Sequence, residues 1–188
     1  MKLTRNKVIA EARALVNEAG LDALTTRKLG QRLGVKGPAL YRHFKSKQEI
    51  ITALSLTFFA NPAVPPPDMI WQEWLKFQAH SIRQELLRCR DGARIAVMAT
   101  PAHNEKTRDK LLLPLTKAGF DKREAVLGIH LIGRLVIGWT LSEQEQDGHI
   151  PPASMEIEPE GAFDYVIGSV IAGLEMRLMA KKMVALAI

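Results

Sequence analysis

One stretch of this chain, residues 25–44, constrains its fold more than any other. Thr25 can cap a short helix, Gly34 can end it, and Gly37-Pro38 can begin a second helix. Gly30 would let the two helices approach closely. The apolar residues of the stretch are spaced so that they can meet on the inside: Leu29, Leu33, Val35, Leu40 and Phe44. We therefore predict a helix-turn-helix motif.

The polar residues left on the outside of this motif are mostly basic or aromatic, which suits a surface that enters a DNA groove. The charge distribution agrees with this interpretation. Residues 1–50 contain 11 Lys/Arg and 4 Asp/Glu, whereas residues 51–188 contain 15 and 16. The excess positive charge therefore lies with the motif, and the phosphates of double-stranded DNA are its natural partner.

The rest of the composition argues against several other classes of protein. Cys89 is the only cysteine, so we expect a small buried residue in a reducing compartment rather than a disulfide or a zinc site. The N-terminus leads directly into an amphipathic helix, which predicts no signal peptide. The most apolar stretch, residues 127–141, is short for a bilayer span and contains His130 and Arg134. We expect a cytoplasmic protein without a membrane partner, a metal or a cofactor.

Helical periodicity continues along the chain, and no segment reads as a strand, so the predicted fold is all-α. We predict a first helix from Thr4 to Ala19, and further helices over 47–59, 69–88, 92–98, 103–118, 122–146 and 163–182. The expected caps are Asp68 and Asp121 and a Ser46–Glu49 capping box, with a kink or boundary at Pro114. We predict a helix-turn-helix DNA-binding domain over residues 1–46 and a helical ligand-binding and dimerisation domain over 47–188. Helix 47–59 would connect the two.

Two helices of the second half are expected to pack against a partner. The helix from 163 to 182 has an apolar stripe: Phe163, Val166, Ile167, Val170, Ile171, Leu174 and Leu178. The helix from 122 to 146 contains Gly128, Gly133 and Gly138, which suggests a close helix approach or space for a ligand. DNA half-sites are usually bound by symmetric dimers, so we predict a homodimer joined through these helices.

The sequence resembles the TetR family of bacterial transcriptional repressors. The similarity runs through residues 21–29, 33–35 and 38–47, and continues into the second half at 71–75, 90–94, 100–101, 117–120, 138 and 141–145. That second half is similar to the tetracycline repressor subgroup. The resemblance implies an all-helical homodimer that binds a DNA palindrome with its N-terminal domain, and a small molecule that lowers DNA affinity with its C-terminal domain.

The resemblance, together with the outward positions of the motif, implies a set of DNA-binding residues. They are Thr26, Arg27, Lys36, Gly37, Pro38, Ala39, Tyr41, Arg42, His43 and Lys47. Thr26 and Arg27 would bind phosphate or guanine, and Tyr41, His43 and Lys47 would bind phosphates. The subgroup has larger polar residues at two of the positions 37–39 and an aromatic residue at 42, so a different operator sequence is expected.

The ligand site departs further from the subgroup. The matching positions are Gln78, Ile82, Ala96 and Ala99, with Ser142 in place of an acid, and these residues lack the groups that a chelated magnesium ion requires. We expect a mostly apolar small-molecule effector instead of magnesium–tetracycline. The candidate ligand-binding residues are Gln78, Ile82, Met98, His103, Leu112, Val126, Ile129, His130 and Arg134. For three of these the sequence leaves alternatives: a surface position for His103 and dimer-interface roles for His130 and Arg134.

The sequence favours a DNA-binding repressor whose operator affinity is controlled by a small molecule. The alternative is a DNA-binding regulator whose C-terminal half only dimerises or binds a protein partner. An enzyme is disfavoured, because no metal-binding helix motif, nucleophile elbow or phosphate-binding glycine loop is present.

Overall fold

The structure is a computed structural model that describes residues 3–59, 68–99, 105–145 and 158–186. Every regular element in these ranges is helical, as predicted. The helices are α1 (Arg5–Ala19), α2 (Thr26–Arg32), α3 (Gly37–Tyr41), α4 (Lys47–Phe59), α5 (Trp71–Leu87), α6 (Gly92–Met98), α7 (Glu105–Ala118), α8 (Lys122–Glu145) and α9 (Pro159–Leu186), with a short 3-10 turn at Leu21–Ala23. His103 and the proline-rich segment 62–67 lie outside the described residues, as do residues 147–157 of the loop that the sequence predicts over 147–160.

The chain divides into two compact units. The first contains residues 1–61 and 82–101, and the second contains residues 62–81 and 102–188. The predicted boundary between residues 46 and 47 separates binding roles rather than packing units, and it stays a prediction.

The first unit is built around α1. Thr4 caps this helix by accepting a hydrogen bond from Lys7 N at 3.3 Å, as expected from the sequence. The helix buries one apolar face, which packs against α2, α4 and the 3-10 turn: Val8, Ala12, Leu15 and Val16. Gly20 ends the helix with φ +81°, a conformation that favours glycine.

Helix α6 is tied to the 3-10 turn of the same unit. Asp91, which precedes α6, accepts a hydrogen bond from Leu21 N at 2.7 Å. Arg94 donates to Asp22 at 3.2 Å and to Asp91 at 3.3 Å. Helix α6 also packs on α4, where Gln48 donates to the Met98 carbonyl at 2.8 Å. The unit therefore joins the N-terminal helices to residues 82–99. Cys89 is buried here, as predicted, and burial raises the pKa of its thiol.

The second unit has α8 at its centre, packed against α7 and α9. A complete capping box begins α8, because Asp121 and Glu124 each accept the other's backbone N–H at 2.9 Å. The buried face of α8 comprises Ala125, Gly128, Ile132, Val136, Thr140 and Glu143. By length and composition alone α8 could cross a membrane, but a core helix passes the same test, so this is weak evidence for a span.

Three details of the predicted helices are wrong. Helix α5 begins at Trp71 rather than Met69, and Trp74 N donates to Ile70 O, so Asp68 lies in a turn and is not its cap. The ring of Trp71 packs edge-on against Phe120 at 5.1 Å, a tertiary contact that no local signal encodes.

Helix α7 runs through Pro114, so the boundary that the sequence offered at this proline is wrong, whereas the alternative, a kink, stays a prediction. The neighbouring side chains Leu112 and Leu115 are both buried, and this packing outweighs the missing N–H of proline. Helix α9 begins at Pro159, before the expected start at Phe163.

The apolar stripe assigned to a partner is largely core of the protomer itself. Phe163, Ile167, Ile171 and Leu178 are all buried within the chain. The Phe163 ring packs against Trp139 at 5.8 Å and edge-on against His80 at 5.1 Å. The periodicity correctly identified a buried face, but the surface that covers this face belongs to the same chain.

Candidate nucleic-acid interface

The helix-turn-helix forms as the sequence predicts. Thr25 Oγ1 accepts from Lys28 N at 3.1 Å and caps α2, and Gly34 adopts φ +65° in the turn. Val35 N donates to Gly30 O at 2.9 Å, and a Cβ atom at Gly30 would lie 3.1 Å from Val35 O. The absence of a side chain at position 30 therefore allows the close approach.

The core beneath the motif is smaller than expected. Leu29, Leu40 and Phe44 are fully buried, whereas Leu33 and Val35 are half-buried. The buried core of the motif therefore consists of Leu29, Leu40 and Phe44.

A concave surface that encloses a volume of about 330 Å³ lies between the start of α2 and the start of α3. Thr26, Arg27 and Gly37 line it together, so three residues assigned to DNA from the sequence meet in space. Gly30, Gln31 and Val35 complete the lining. Gln31 was missed by the sequence interpretation, although its position four residues after Arg27 places it on the same face of α2.

The other residues assigned to DNA continue along α3 and into α4. Lys36, Pro38 and Arg42 are exposed, and Tyr41 is 51% exposed despite its aromatic ring. Ala39, His43 and Lys47 are half-buried. An exposed tyrosine beside exposed cations is well suited to bind phosphate groups.

The ion pairs of residues 1–50 leave the basic surface of the motif uncompensated. All four acidic residues of this segment have an arginine partner: Glu11 and Glu18 pair with Arg32, Asp22 with Arg94, and Glu49 with Arg5.

The contacts of Arg32 are the most extensive. Its guanidinium binds both oxygens of Glu18, at 2.5 and 2.9 Å, and Glu11 at 3.1 Å. These bonds lower the pKa of Glu18 and raise that of Arg32, so both groups stay charged.

Five other cations of the motif and the start of α4 have no ion-pair partner among the residues described by the structure. These side chains are Arg27, Lys28, Lys36, Arg42 and Lys47. The net charge of the segment is therefore concentrated on the motif, where it can neutralise phosphates.

The predicted ligand-binding residues fall in both compact units. Ile82 and Met98 belong to the first, where Ile82 is half-buried and Met98 is 47% exposed. The others that the structure describes belong to the second: Gln78, Leu112, Val126, Ile129, His130 and Arg134.

Within the second unit these residues do not share one environment. Gln78 and Leu112 are buried, and Val126 and Ile129 are half-buried. His130 and Arg134 are exposed and lie on the same face of α8 as the exposed leucines Leu127 and Leu131. That placement agrees with the interface alternative for these two polar residues.

Comparison with protein families identifies the class. Residues 8–54 match the model of the bacterial regulatory proteins of the tetR family, and residues 64–163 match the tetracyclin repressor-like C-terminal domain. The chain belongs to the tetR family and is a ligand-controlled, DNA-binding transcriptional repressor. Regulators of this family are typically not enzymes.

Individual relatives agree over nearly the whole chain. The tetracycline repressor protein class A from transposon 1721 of Escherichia coli is 37% identical, over 94% of this chain and 92% of that protein. The class C repressor of Escherichia coli is 35% identical, over 94% and 93%. A crystal structure of a TetR variant from Acinetobacter baumannii AYE in complex with minocycline is 36% identical, with a TM-score of 0.84 over 94% of this chain and 99% of that one.

Proposed function

We propose that this repressor binds an inverted-repeat operator as a homodimer through α2, α3 and the turns that flank them. The observation that supports the proposal is the concentration on the motif of cations without an ion-pair partner in the described ranges, while every acid of residues 1–50 is paired within the chain. Arg27, beside the concave surface, is suited to a guanine or a phosphate, and Tyr41 and Lys47 to phosphates.

DNA binding can be tested with duplexes selected from a random-sequence library. Arg27→Ala and Tyr41→Ala are expected to weaken binding by about 5- to 100-fold each, the loss expected for a base or phosphate contact. Lys122→Ala removes an exposed cation of the second unit and serves as the control. Wild-type affinity in both motif variants would show that the assigned DNA face is wrong.

A second copy of this chain would cover the outer face of α8 and α9. Large apolar side chains are exposed on α9, where Tyr165 is 76%, Met176 71% and Met183 72% exposed. Leu127 and Leu131 are exposed on α8. Between them α9 presents small residues, Gly168 and Gly173, where an added Cβ would meet nothing within 4 Å. A large apolar patch of this kind marks a protein interface.

The dimer is tested by sedimentation at micromolar concentration. Met176→Glu should produce monomers, because it places a charge at the centre of the outer face. Ile171→Glu is a poor probe, because Ile171 is buried within the protomer and a charge there would unfold it. A monomeric wild type would contradict the proposal, as would an unaltered dimer in Met176→Glu.

We infer further that the effector is a mostly apolar, ring-containing small molecule rather than magnesium–tetracycline. Ala96 and Ala99 are buried and offer no metal donor. Among the described residues, no group of three His, Cys, Asp or Glu side chains could hold a metal ion. Gln78 is only 7% exposed, so its amide offers a polar contact within largely buried surroundings to a ligand bound beside it.

An aromatic sulfonate, 8-anilinonaphthalene-1-sulfonate, is a suitable probe of a ligand site that includes Gln78. Its fluorescence should rise on binding, and Gln78→Ala should weaken binding, whereas Gln84→Ala, an exposed glutamine of the same helix, should not. Tetracycline with magnesium should leave the melting temperature and the DNA affinity unchanged. Micromolar release of DNA by tetracycline with magnesium would refute the proposed effector class.

We propose a cytoplasmic location, because the family acts on DNA and its curated relatives are DNA-binding repressors. The assignment of residues 1–46 to DNA and 47–188 to ligand and dimer contacts is part of the same proposal.

A further inference from the structure

The turn between α3 and α4 is held by a cluster of contacts that the DNA-binding assignment does not explain. Arg5, the first residue of α1, donates through Nη1 to the carbonyl oxygen of His43 and to Glu49 Oε1, the latter at 3.2 Å. The other carboxylate oxygen of Glu49, Oε2, accepts from Lys45 N at 2.7 Å. The Cζ atom of Arg5 also lies 4.0 Å from the centroid of the Phe44 ring.

These contacts fix residues 43–45, which connect two groups of proposed DNA contacts. Tyr41 and Arg42 precede these residues, His43 is the first of them, and Lys47 follows them. One half of the predicted capping box forms, because Ser46 Oγ accepts a hydrogen bond from Glu49 N at 3.1 Å. In the other half the Glu49 carboxylate accepts from Lys45 N rather than from Ser46 N. One carboxylate therefore holds the start of α4 and, through Arg5, the backbone at His43, just after α3.

Global stability does not account for the pair. The Arg5 side chain is half-exposed and the Glu49 side chain is 37% exposed. Exposed ion pairs contribute little to the free energy of unfolding. Electrostatics alone would also disfavour Glu49, because a negative charge among DNA-facing cations repels phosphates. The hydrogen bonds of Glu49 to Arg5 and to Lys45 N provide a reason for an acidic residue at this position.

We infer that Arg5 and Glu49 are positioning residues for DNA binding: together they set the path of residues 43–45, and so the orientation of Tyr41, Arg42 and Lys47 towards the phosphates. This inference rests on the proposed DNA-binding function. Neither residue needs to touch DNA itself.

Glu49→Gln gives the sharpest test, because positioning and electrostatics predict opposite signs. A glutamine has one acceptor oxygen, so it cannot accept from Arg5 and from Lys45 N at once through separate oxygens. We expect DNA binding to weaken by about 3- to 10-fold, the loss of one well-made hydrogen bond. Asp22→Asn removes the same charge from the same unit, at a side chain that is 86% exposed and contacts Arg94 instead. It should leave DNA affinity equal or slightly higher.

A double-mutant cycle with Arg5→Ala shows whether the two residues act through each other. If they do, the DNA affinity of the double variant equals that of the single variant with the lower affinity. A direct phosphate contact by Arg5 would instead make the affinity of the double variant lower than that of either single variant. Amide hydrogen exchange at Lys45 should accelerate in Glu49→Gln while the melting temperature stays near that of the wild type. Exchange at Lys45 reports on the local turn, and the circular dichroism of Glu49→Gln shows whether the variant protein is folded.

The outcomes separate the inference from the proposed function. A wild type that binds no selected duplex overturns the proposed function, and this inference with it. A wild type that binds, with Glu49→Gln binding equally or more tightly, overturns the positioning role alone. Additive losses in the cycle would also overturn it.

Discussion

Replacing Gly92 by alanine should destabilise the first unit more than any other glycine-to-alanine change within it. A Cβ atom at position 92 would lie 2.1 Å from the carbonyl oxygen of Leu86, 2.9 Å from its carbonyl carbon and 3.0 Å from its Cα. All three are backbone atoms near the C-terminal end of helix α5, so no side chain can rotate away. Leu86 is fully buried, which restricts how far that backbone can move.

The size of the effect follows from overpacking. Adding atoms to a filled site costs about 1–3 kcal/mol, and a rigid backbone neighbour places this case near the upper limit. For a chain of this length each kcal/mol lowers the melting temperature by about 2–4 °C, so a decrease of about 6–12 °C is expected. The backbone displacement at position 92 also moves the neighbouring Asp91, whose carboxylate accepts a hydrogen bond from Leu21 N. DNA affinity should therefore fall as well.

Thermal unfolding by circular dichroism measures this, at equal protomer concentration because a dimer melts in a concentration-dependent way. The control is Gly37→Ala in the same unit, where the nearest heavy atom to the new Cβ would be Tyr41 Cε2 at 3.9 Å. Its melting temperature should equal that of the wild type. If Gly92→Ala melted within about 2 °C of the wild type, the close approach of Leu86 to Gly92 would be refuted.

Three further predictions concern single positions. Gly34→Ala should cost about 1 kcal/mol in urea unfolding because of its φ of +65°, and Gly34→Asn should cost less. Ser55→Ala should unfold at the same or a higher urea concentration, because the buried Ser55 hydroxyl lacks a hydrogen-bond partner in the described structure. The hydrogen bond from Lys76, and then that from His80, lowers the pKa of Asp164 from its ordinary value of 3.8. The ionised Asp164 therefore stabilises the folded protein above pH 3.8, and this stabilisation is lost as the pH falls through the lower pKa of the folded state. Asp164→Asn should melt at a lower temperature than the wild type at pH 7 and at the same temperature in strong acid.

Local signals predicted the helix ends well, because each end depends on a few neighbouring residues. Thr4, Thr25 and the Asp121–Glu124 pair cap their helices as the sequence indicated. Where tertiary contacts compete, local signals failed, as at Pro114 and at the start of α5. The basic excess of residues 1–50 and its place with the motif were also readable from the sequence. Which of the cations have an ion-pair partner was not readable, because this depends on acids that are distant along the chain.

Helix α9 shows most clearly what periodicity leaves open. Its inner face, with Phe163 and Ile167, is covered by the same chain, yet its outer face, with Tyr165 and Met176, is also apolar. A helix that is apolar on two opposite faces needs a neighbour on each of them. A three-and-four spacing identifies an apolar stripe without showing which neighbour covers it, so the inner stripe was assigned to the partner. Once the inner face is accounted for within the protomer, the outer face becomes the argument for a second copy, and the exposed methionines rather than Ile171 become the positions that test it.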